Sequence, residues 1–186
     1  MSQGWHRIET KRLVAFPGFT DSLSSEQDAR TTQVFGELAY RIEVGATRIE
    51  PFADIAHVRL SSDDTSEKGG AAALRLASAD SSTSFTTLGL RAAPSLSLAG
   101  AKLTLRGALG WRHAFGDVTP LSTMQFAGGG DGFRIAGTPI AQNSAAVDAG
   151  IDLALTSRAT LGIAYGGQYG SGASDQSLRA SFSLRL

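Results

Sequence analysis

The chain has 186 residues and balances 17 Lys and Arg against 17 Asp and Glu, so it offers no basic field for nucleic acid and no acidic tail. It has no cysteine, which removes disulfide frameworks and thiolate metal sites. Its mean hydropathy of −0.03, with no run near the ~18 apolar residues of a spanning helix, excludes a helical membrane protein. Charged residues make up 18%, below the roughly 25% of soluble domains, and there are 22 glycines.

Met1 to Arg12 has no charged-then-apolar region and no small-residue cleavage site, so no secretory signal is expected in this chain. A location outside the cytoplasm therefore implies the tail of a longer precursor or a truncated reading frame. Gly4 to Phe16 reads as a first strand, with Ile8, Thr10, Val14 and Phe16 on one parity. Pro17, Gly18 and the polar run Thr20 to Arg30 read as a long loop. Thr31 to Val44 is the next strand: Val34, Leu38, Tyr40, Ile42 and Val44 alternate with Gln33, Glu37, Arg41 and Glu43. After a tight Gly45-Ala46 turn, Arg48 to Leu60 forms a less regular strand, in which Glu50 and Asp54 share a parity with Phe52 and Pro51 suggests a bulge.

Ser61 to Lys68 reads as a loop and Gly69 to Asp80 as a strand carrying Leu74, Arg75 and Leu76. Thr83 to Leu98 turns Leu88, Leu90 and Ala92 one way and Thr87, Gly89 and Arg91 the other. Lys102 to Asp117 is the most two-faced stretch. Leu103, Leu105, Leu109, Trp111, His113 and Phe115 fall on one parity, against Lys102, Thr104, Arg106, Ala108, Gly110 and Arg112. An ordinary half-buried strand runs about 5–6 residues, and a run of this length suits a membrane-spanning strand.

Gly116 to Asn143 reads as a long Gly- and Pro-containing connection. Ser144 to Thr156 and Ala159 to Tyr169 resume the alternation. Residues 177–186 are the cleanest: Leu178, Ala180, Phe182, Leu184 and Leu186 alternate with Ser177, Arg179, Ser181, Ser183 and Arg185. Short turns at Gly45-Ala46, Ala99-Gly100 and Ser157-Arg158 alternate with long connections, as in outer-membrane barrels. The expected architecture is all-β, an antiparallel transmembrane barrel of the outer-membrane type with about nine strands in this chain.

Motifs for chemistry are absent. Gly128 to Gly132 is not followed by the Lys-Ser/Thr of a phosphate loop, and Tyr169 stands where a nucleophile elbow would need Gly in the segment Gly167 to Gly172, which reads as a loop. His6, His57 and His113 have no metal-ligand spacing, and His113 beside Trp111 and Phe115 suits a membrane interface. No catalytic, cofactor-binding or metal-binding residue is assigned. The charged parity carries Glu37, Arg41, Glu43, Arg75, Arg91, Arg106, Arg112, Asp148, Asp152, Arg179 and Arg185, read as a hydrated lumen whose charges pair across strands. Gly89, Ala108, Gly110, Gly150, Gly162 and Gly166 would leave room for something to pass.

Several stretches, taken in order, carry a family resemblance. They are Gly4-Trp5-His6 with Arg12 downstream, Gln33 to Tyr40, Ile49 to Ala53, Glu67 to Leu74, Thr87 to Arg91, Gly110 to Asp117, and Gly137 to Ile140. As a set they resemble the C-terminal translocator barrel of type V autotransporters. The resemblance implies a twelve-stranded outer-membrane barrel of a Gram-negative bacterium, with an N-terminal helix threading the pore and joining an exported passenger. It implies that residues 1–186 are the C-terminal portion of that β-domain, with the passenger, the pore helix and about three strands absent and the barrel incomplete. The family ends on an aromatic residue, where this chain has Leu186 with Phe182 four positions earlier. The implied function is anchoring and export of the passenger, without catalysis or cofactor. The implied partners are outer-membrane lipid, the passenger polypeptide and the assembly machinery, with the chain a monomer and no nucleic acid bound. Glu37, Arg91, Arg106, Arg112, Asp148, Asp152 and Arg179 are the expected pore-lining residues, keeping the pore wet and holding a threaded segment. The alternatives are a soluble lipocalin-like barrel for a small ligand, marked by apolar residues inside and charges outside, and a simple diffusion channel.

Overall fold

A computed structural model describes residues 1–98, 101–156 and 158–184; the expected turn at Ala99-Gly100, Ser157, and the terminal Arg185 and Leu186 lie outside the described residues. The described chain is antiparallel strand joined by turns and irregular connections. In order come β1 (Ser2–Phe16), β2 (Phe19–Ala39), β3 (Ile42–Val44), β4 (Thr47–Ser62), β5 (Thr65–Ser66), β6 (Leu74–Leu76) and β7 (Ala79–Leu98). Then follow β8 (Ala101–Gly116), β9 (Leu121–Phe126), β10 (Phe133–Ala136), β11 (Asn143–Ala154), β12 (Ala159–Gly170) and β13 (Ala173–Leu184). The large sheet has the hydrogen-bonded order β1-β2-β4-β7-β8-β11-β12-β13, with β3 on β4, and a small sheet has the order β10-β9-β6-β5.

The chain divides into two compact units, and β2, β4 and β7 each contribute to both. The first unit takes Met1–Phe35, Ala56–Ser84 and Gly116–Ile140. Its leading feature corrects the expected loop at Thr20 to Arg30: those residues are strand, paired to β1 in unbroken register from Ser2↔Gln33 to Phe16↔Phe19. Their side chains are mostly polar, with Leu23 and Ala29 buried among them, while every step of the backbone is matched by the opposite strand. The real turn is only Pro17-Gly18, closed by the stacked rings of Phe16 and Phe19, 4.8 Å apart.

Gly69 to Asp80 is likewise not one strand. Leu74–Leu76 pairs with β9 in the small sheet, and the next long strand starts at Ala79, which takes Arg75 off the large sheet's polar face. A buckle holds this corner. The Glu67 carboxylate accepts from Arg12 Nε at 3.0 Å and from Arg12 Nη2, and also takes the Leu74 N–H at 2.8 Å. Arg12 Nη2 also donates to the Ala72 carbonyl, and Asp21 accepts the Ala72 N–H. Leu23 and Ala73 are buried beside this buckle. The long connection after Gly116 is partly ordered too, because β9 and β10 form a hairpin around the loop at Gly128 to Gly132.

The second unit takes Gly36–Ile55, Phe85–Phe115 and Ala141–Leu186. β3 and β4 meet at Gly45-Ala46, the turn expected from the sequence, with Gly45 at φ 59°. The strand expected from Thr31 to Val44 is interrupted at Tyr40-Arg41. Opposite the break stands Pro51, whose carbonyl accepts the Tyr40 N–H at 3.0 Å but which has no N–H to return. The segment expected as a loop from Gly167 to Gly172 is strand through Gly170, with a tight turn at Ser171-Gly172.

Register fixes the two faces of this unit. β11 pairs with β8 on one side and β12 on the other, and β12 pairs with β13. One face carries the rows Leu103-Leu153-Leu161-Phe182, Leu105-Ile151-Ile163-Ala180 and Gly107-Ala149-Tyr165-Leu178. The other carries Thr104-Asp152-Gly162-Ser181, Arg106-Gly150-Ala164-Arg179 and Ala108-Asp148-Gly166-Ser177. The apolar face is not a core. Leu109 is 65% exposed and Leu178 77%, and among the described residues the buried hydrophobic side chains are only Leu23, Ala29, Ala73 and Ala114. A soluble domain of this length would hide such side chains.

Candidate functional site

The charged face of the second unit carries the residues of interest, above a cleft of about 510 Å³. Arg91, on β7, sends Nη1 to Glu37 at 2.8 Å and to Glu50 at 3.3 Å, and Nη2 to the second Glu37 oxygen. Glu37 lies on β2, two strands away, so the Arg91 side chain reaches over β4. Arg41 shares Glu50 at 3.7 Å. Arg106 forms a two-point pair with Asp152, with Nε 2.7 Å from Oδ2 and Nη2 3.0 Å from Oδ1. Glu37, Arg91, Arg106 and Asp152 are thus joined in cross-strand pairs, as the alternation predicts.

Arg112 is held differently. Its Nε donates to the Thr87 hydroxyl at 3.2 Å and its Nη1 to the Gln168 carbonyl at 2.9 Å, while Gln168 Nε2 donates to the Ser144 hydroxyl. Thr87 and Ser144 are both buried. Asp148 and Arg179 line the cleft, but among the described residues neither has an ionic partner within 4.0 Å.

Two contacts escape sequence reasoning. Phe52, which shares a parity with Glu50 and Asp54, lies on the charged face, and the guanidinium carbon of Arg91 lies 3.9 Å from its ring centroid. Its ring occupies the space a side chain at Gly89 would need. Three of the other glycines expected to leave a passage are also used by neighbours. The Arg106 guanidinium lies over Gly150, the Asp152 carboxylate and Ser181 hydroxyl over Gly162, and Ser177 with Asp148 over Gly166. Parity shows that a residue is small but not which long side chain lies across it.

The opposite face ends in aromatic and amphipathic groups. Trp111 Nε1 donates to Asn143 Oδ1 at 3.2 Å, and His113 Nδ1 is 3.0 Å from the same oxygen. The Trp111, His113 and Phe115 rings follow one another at 5.7 and 5.6 Å. The hydroxyls of Tyr165 and Tyr169 meet over Gly167. The three histidines have separate partners, with His6 on Thr31 and His57 on Ser84, and no group of three metal-binding side chains occurs among the described residues.

The family model described as the autotransporter beta-domain matches residues 1–166. The chain belongs to that family. Two proteins of Serratia marcescens, each named extracellular serine protease, are 34% and 33% identical to it over 182 residues. Those alignments cover 98% of this chain and 17% of each relative, so the chain spans about a sixth of their length. The region shared is the autotransporter β-domain, which is not a catalytic domain, and the family places it in the outer membrane as part of a larger precursor.

Proposed function

We propose that this autotransporter β-domain forms, with strands from elsewhere in its precursor, a twelve-stranded outer-membrane barrel that anchors and conducts a passenger polypeptide. The observation carrying this reading is the pair of opposed faces in the second unit. From the row of Ala159 and Leu184 to that of Tyr169 is ten residues, about 33 Å along a strand and about 25 Å along the membrane normal at a tilt of about 40°. That matches the apolar band of an outer-membrane barrel, and Trp111 and Tyr169 mark one border of it. The charged face then lines a lumen, with Glu37, Arg91, Arg106, Arg112, Asp148, Asp152 and Arg179 on its wall.

β1 and β13 stand at the ends of the ladder. In lipid each unpaired backbone group costs several kcal/mol, so residues 1–186 act as the C-terminal portion of a β-domain whose remaining strands close the sheet. The outer-membrane assembly machinery inserts it as a monomer, and a threaded N-terminal helix links it to the passenger. An extracellular serine protease, the name its relatives carry, is the passenger class favoured. A soluble ligand-binding barrel would need the reverse arrangement, apolar toward the cleft and charged outside.

Expressed in its precursor behind a signal sequence, the domain partitions with outer membranes, requires detergent for extraction and migrates differently on gels before and after heating. Recovery as a water-soluble monomer would sink the reading.

A further inference from the structure

We propose that Arg112 is a carboxylate-binding site for polypeptide lying on the charged face; this rests on the conduit reading above. The other arginines of that face fall into two groups. Arg41, Arg91 and Arg106 already have carboxylates. Arg48 and Arg179 have none within 4.0 Å among the described residues, and they also lack a side-chain hydrogen bond that would fix their direction.

Among the described residues of that face, Arg112 alone combines the two conditions of a prepared site. Its guanidinium is oriented, and its charge is unmatched. Thr87 and Gln168 hold Nε and Nη1, and the buried Ser144 hydroxyl in turn steadies Gln168. The Phe85 ring centroid lies 6.0 Å from the guanidinium carbon and flanks it. All of these partners are neutral. Among the described residues no carboxylate lies within 4.0 Å of Arg112.

A guanidinium has five N–H donors in a rigid fork. With Nε and one Nη1 hydrogen committed, the second Nη1 hydrogen and both on Nη2 remain, and the edge they form matches a carboxylate in two-point geometry. A half-buried cation held only by neutral acceptors gains from such a partner more than a solvated one does. Asp or Glu side chains of a passing or resident segment supply it, so the site favours acidic over isosteric neutral sequence.

The test uses the domain within its complete precursor barrel, folded in detergent micelles, and two fluorescent decapeptides of alternating Gly with Glu or with Gln. At fixed ionic strength the Glu peptide binds at least tenfold more tightly by anisotropy. Arg112→Gln abolishes that preference, Arg112→Lys keeps part of it, and Arg59→Gln, remote on the Asp80 pair, changes nothing. Far-UV circular dichroism of each variant confirms that it is folded. A Glu preference that survives Arg112→Gln overturns the proposal. So does displacement of the Glu peptide by inorganic phosphate at equal carboxylate concentration, which would mark a small-anion site. A folded, micelle-bound chain without any Glu preference overturns this inference alone, whereas a chain that folds in water and ignores micelles overturns the membrane reading with it.

Discussion

The Arg91 guanidinium carbon sits 3.9 Å from the centroid of the Phe52 ring, while the ring rests on Gly89 of the same strand as Arg91. One aromatic side chain is thereby held between a backbone floor and a cation that Glu37 and Glu50 keep in place. A methyl at Gly89 would collide with the ring and lie 2.7 Å from the Leu109 carbonyl oxygen, which is backbone and cannot swing away. Gly89→Ala should therefore destabilise the domain by about 1–3 kcal/mol through overpacking. Phe52→Leu, which removes the cation–π contact and leaves the floor free, should cost about 0.5–2 kcal/mol. Urea unfolding in lipid vesicles, followed by tryptophan fluorescence, measures both. The double variant should lose less than the sum, because without the ring the added methyl keeps only its clash with Leu109.

Leu109 and Ala108 are neighbours in β8 on opposite faces, registered against Val147 and Asp148. If the apolar face meets hydrocarbon, Leu109→Arg costs about 2–4 kcal/mol near the midplane. Ala108→Arg instead places its guanidinium near Asp148 and should cost little. Equal penalties in the same unfolding assay would contradict the face assignment, and inverted penalties would indicate a register one residue out.

The second unit was legible because a membrane strand has one strict requirement, alternation, and β8, β11, β12 and β13 keep it for most of their length. The effect of Pro51 was misplaced: a bulge was expected in its own strand, whereas β4 runs unbroken and the missing donor interrupts the partner at Tyr40-Arg41. The first unit was misread where polarity replaces alternation. Thr20 to Arg30 carries the composition of a loop, yet each of its residues has a β1 partner. Likewise, nothing in Leu74–Leu76 shows that its partner is β9, some fifty residues later. At the site, parity placed Glu37, Arg91, Arg106 and Asp152 on one face, and their side-chain lengths allowed the pairs. The neutral cradle of Arg112 was hidden because Thr87, Ser144 and Gln168 belong to three different strands and form no motif.

The buckle at Glu67 is a carboxylate outside the long strands, with a side chain only 6% exposed. The hydrogen bond from Arg12 holds its pKa below the ordinary carboxylate range against the opposing effect of burial, with help from the Leu74 N–H. A lowered folded value means that the stabilisation is complete above the unfolded pKa of about 4.3 and fades as pH falls through the folded value. Arg12 keeps its charge throughout, so protonation of Glu67 leaves that cation without its anion. Amide exchange at Leu74, corrected for intrinsic rates, should accelerate below about pH 4. Glu67→Gln should bring that acceleration to neutral pH, at a cost of about 1–3 kcal/mol.

Gly116 closes β8 at φ 98°, a left-handed conformation that other residues adopt only with strain. A side chain there would also come 2.6 Å from the Ser82 carbonyl oxygen. The conformation turns Asp117 back onto β7: its N–H donates to Ser82 O at 2.8 Å, its carboxylate accepts the Ser82 N–H at 2.8 Å, and its carbonyl accepts the Thr83 hydroxyl at 3.0 Å. The Gly-Asp pair at the end of the most recognisable sequence stretch is thus a clasp between the end of one strand and the start of another. Gly116→Ala should cost about 1–3 kcal/mol through strain and collision. Asp117→Asn retains an acceptor and should cost less than Asp117→Ala, which leaves the Ser82 N–H unpaired. Exchange at the Ser82 amide separates the cases: fast in Gly116→Ala and Asp117→Ala, near normal in Asp117→Asn. A slow Ser82 amide in Gly116→Ala would mean that the clasp forms without the left-handed turn.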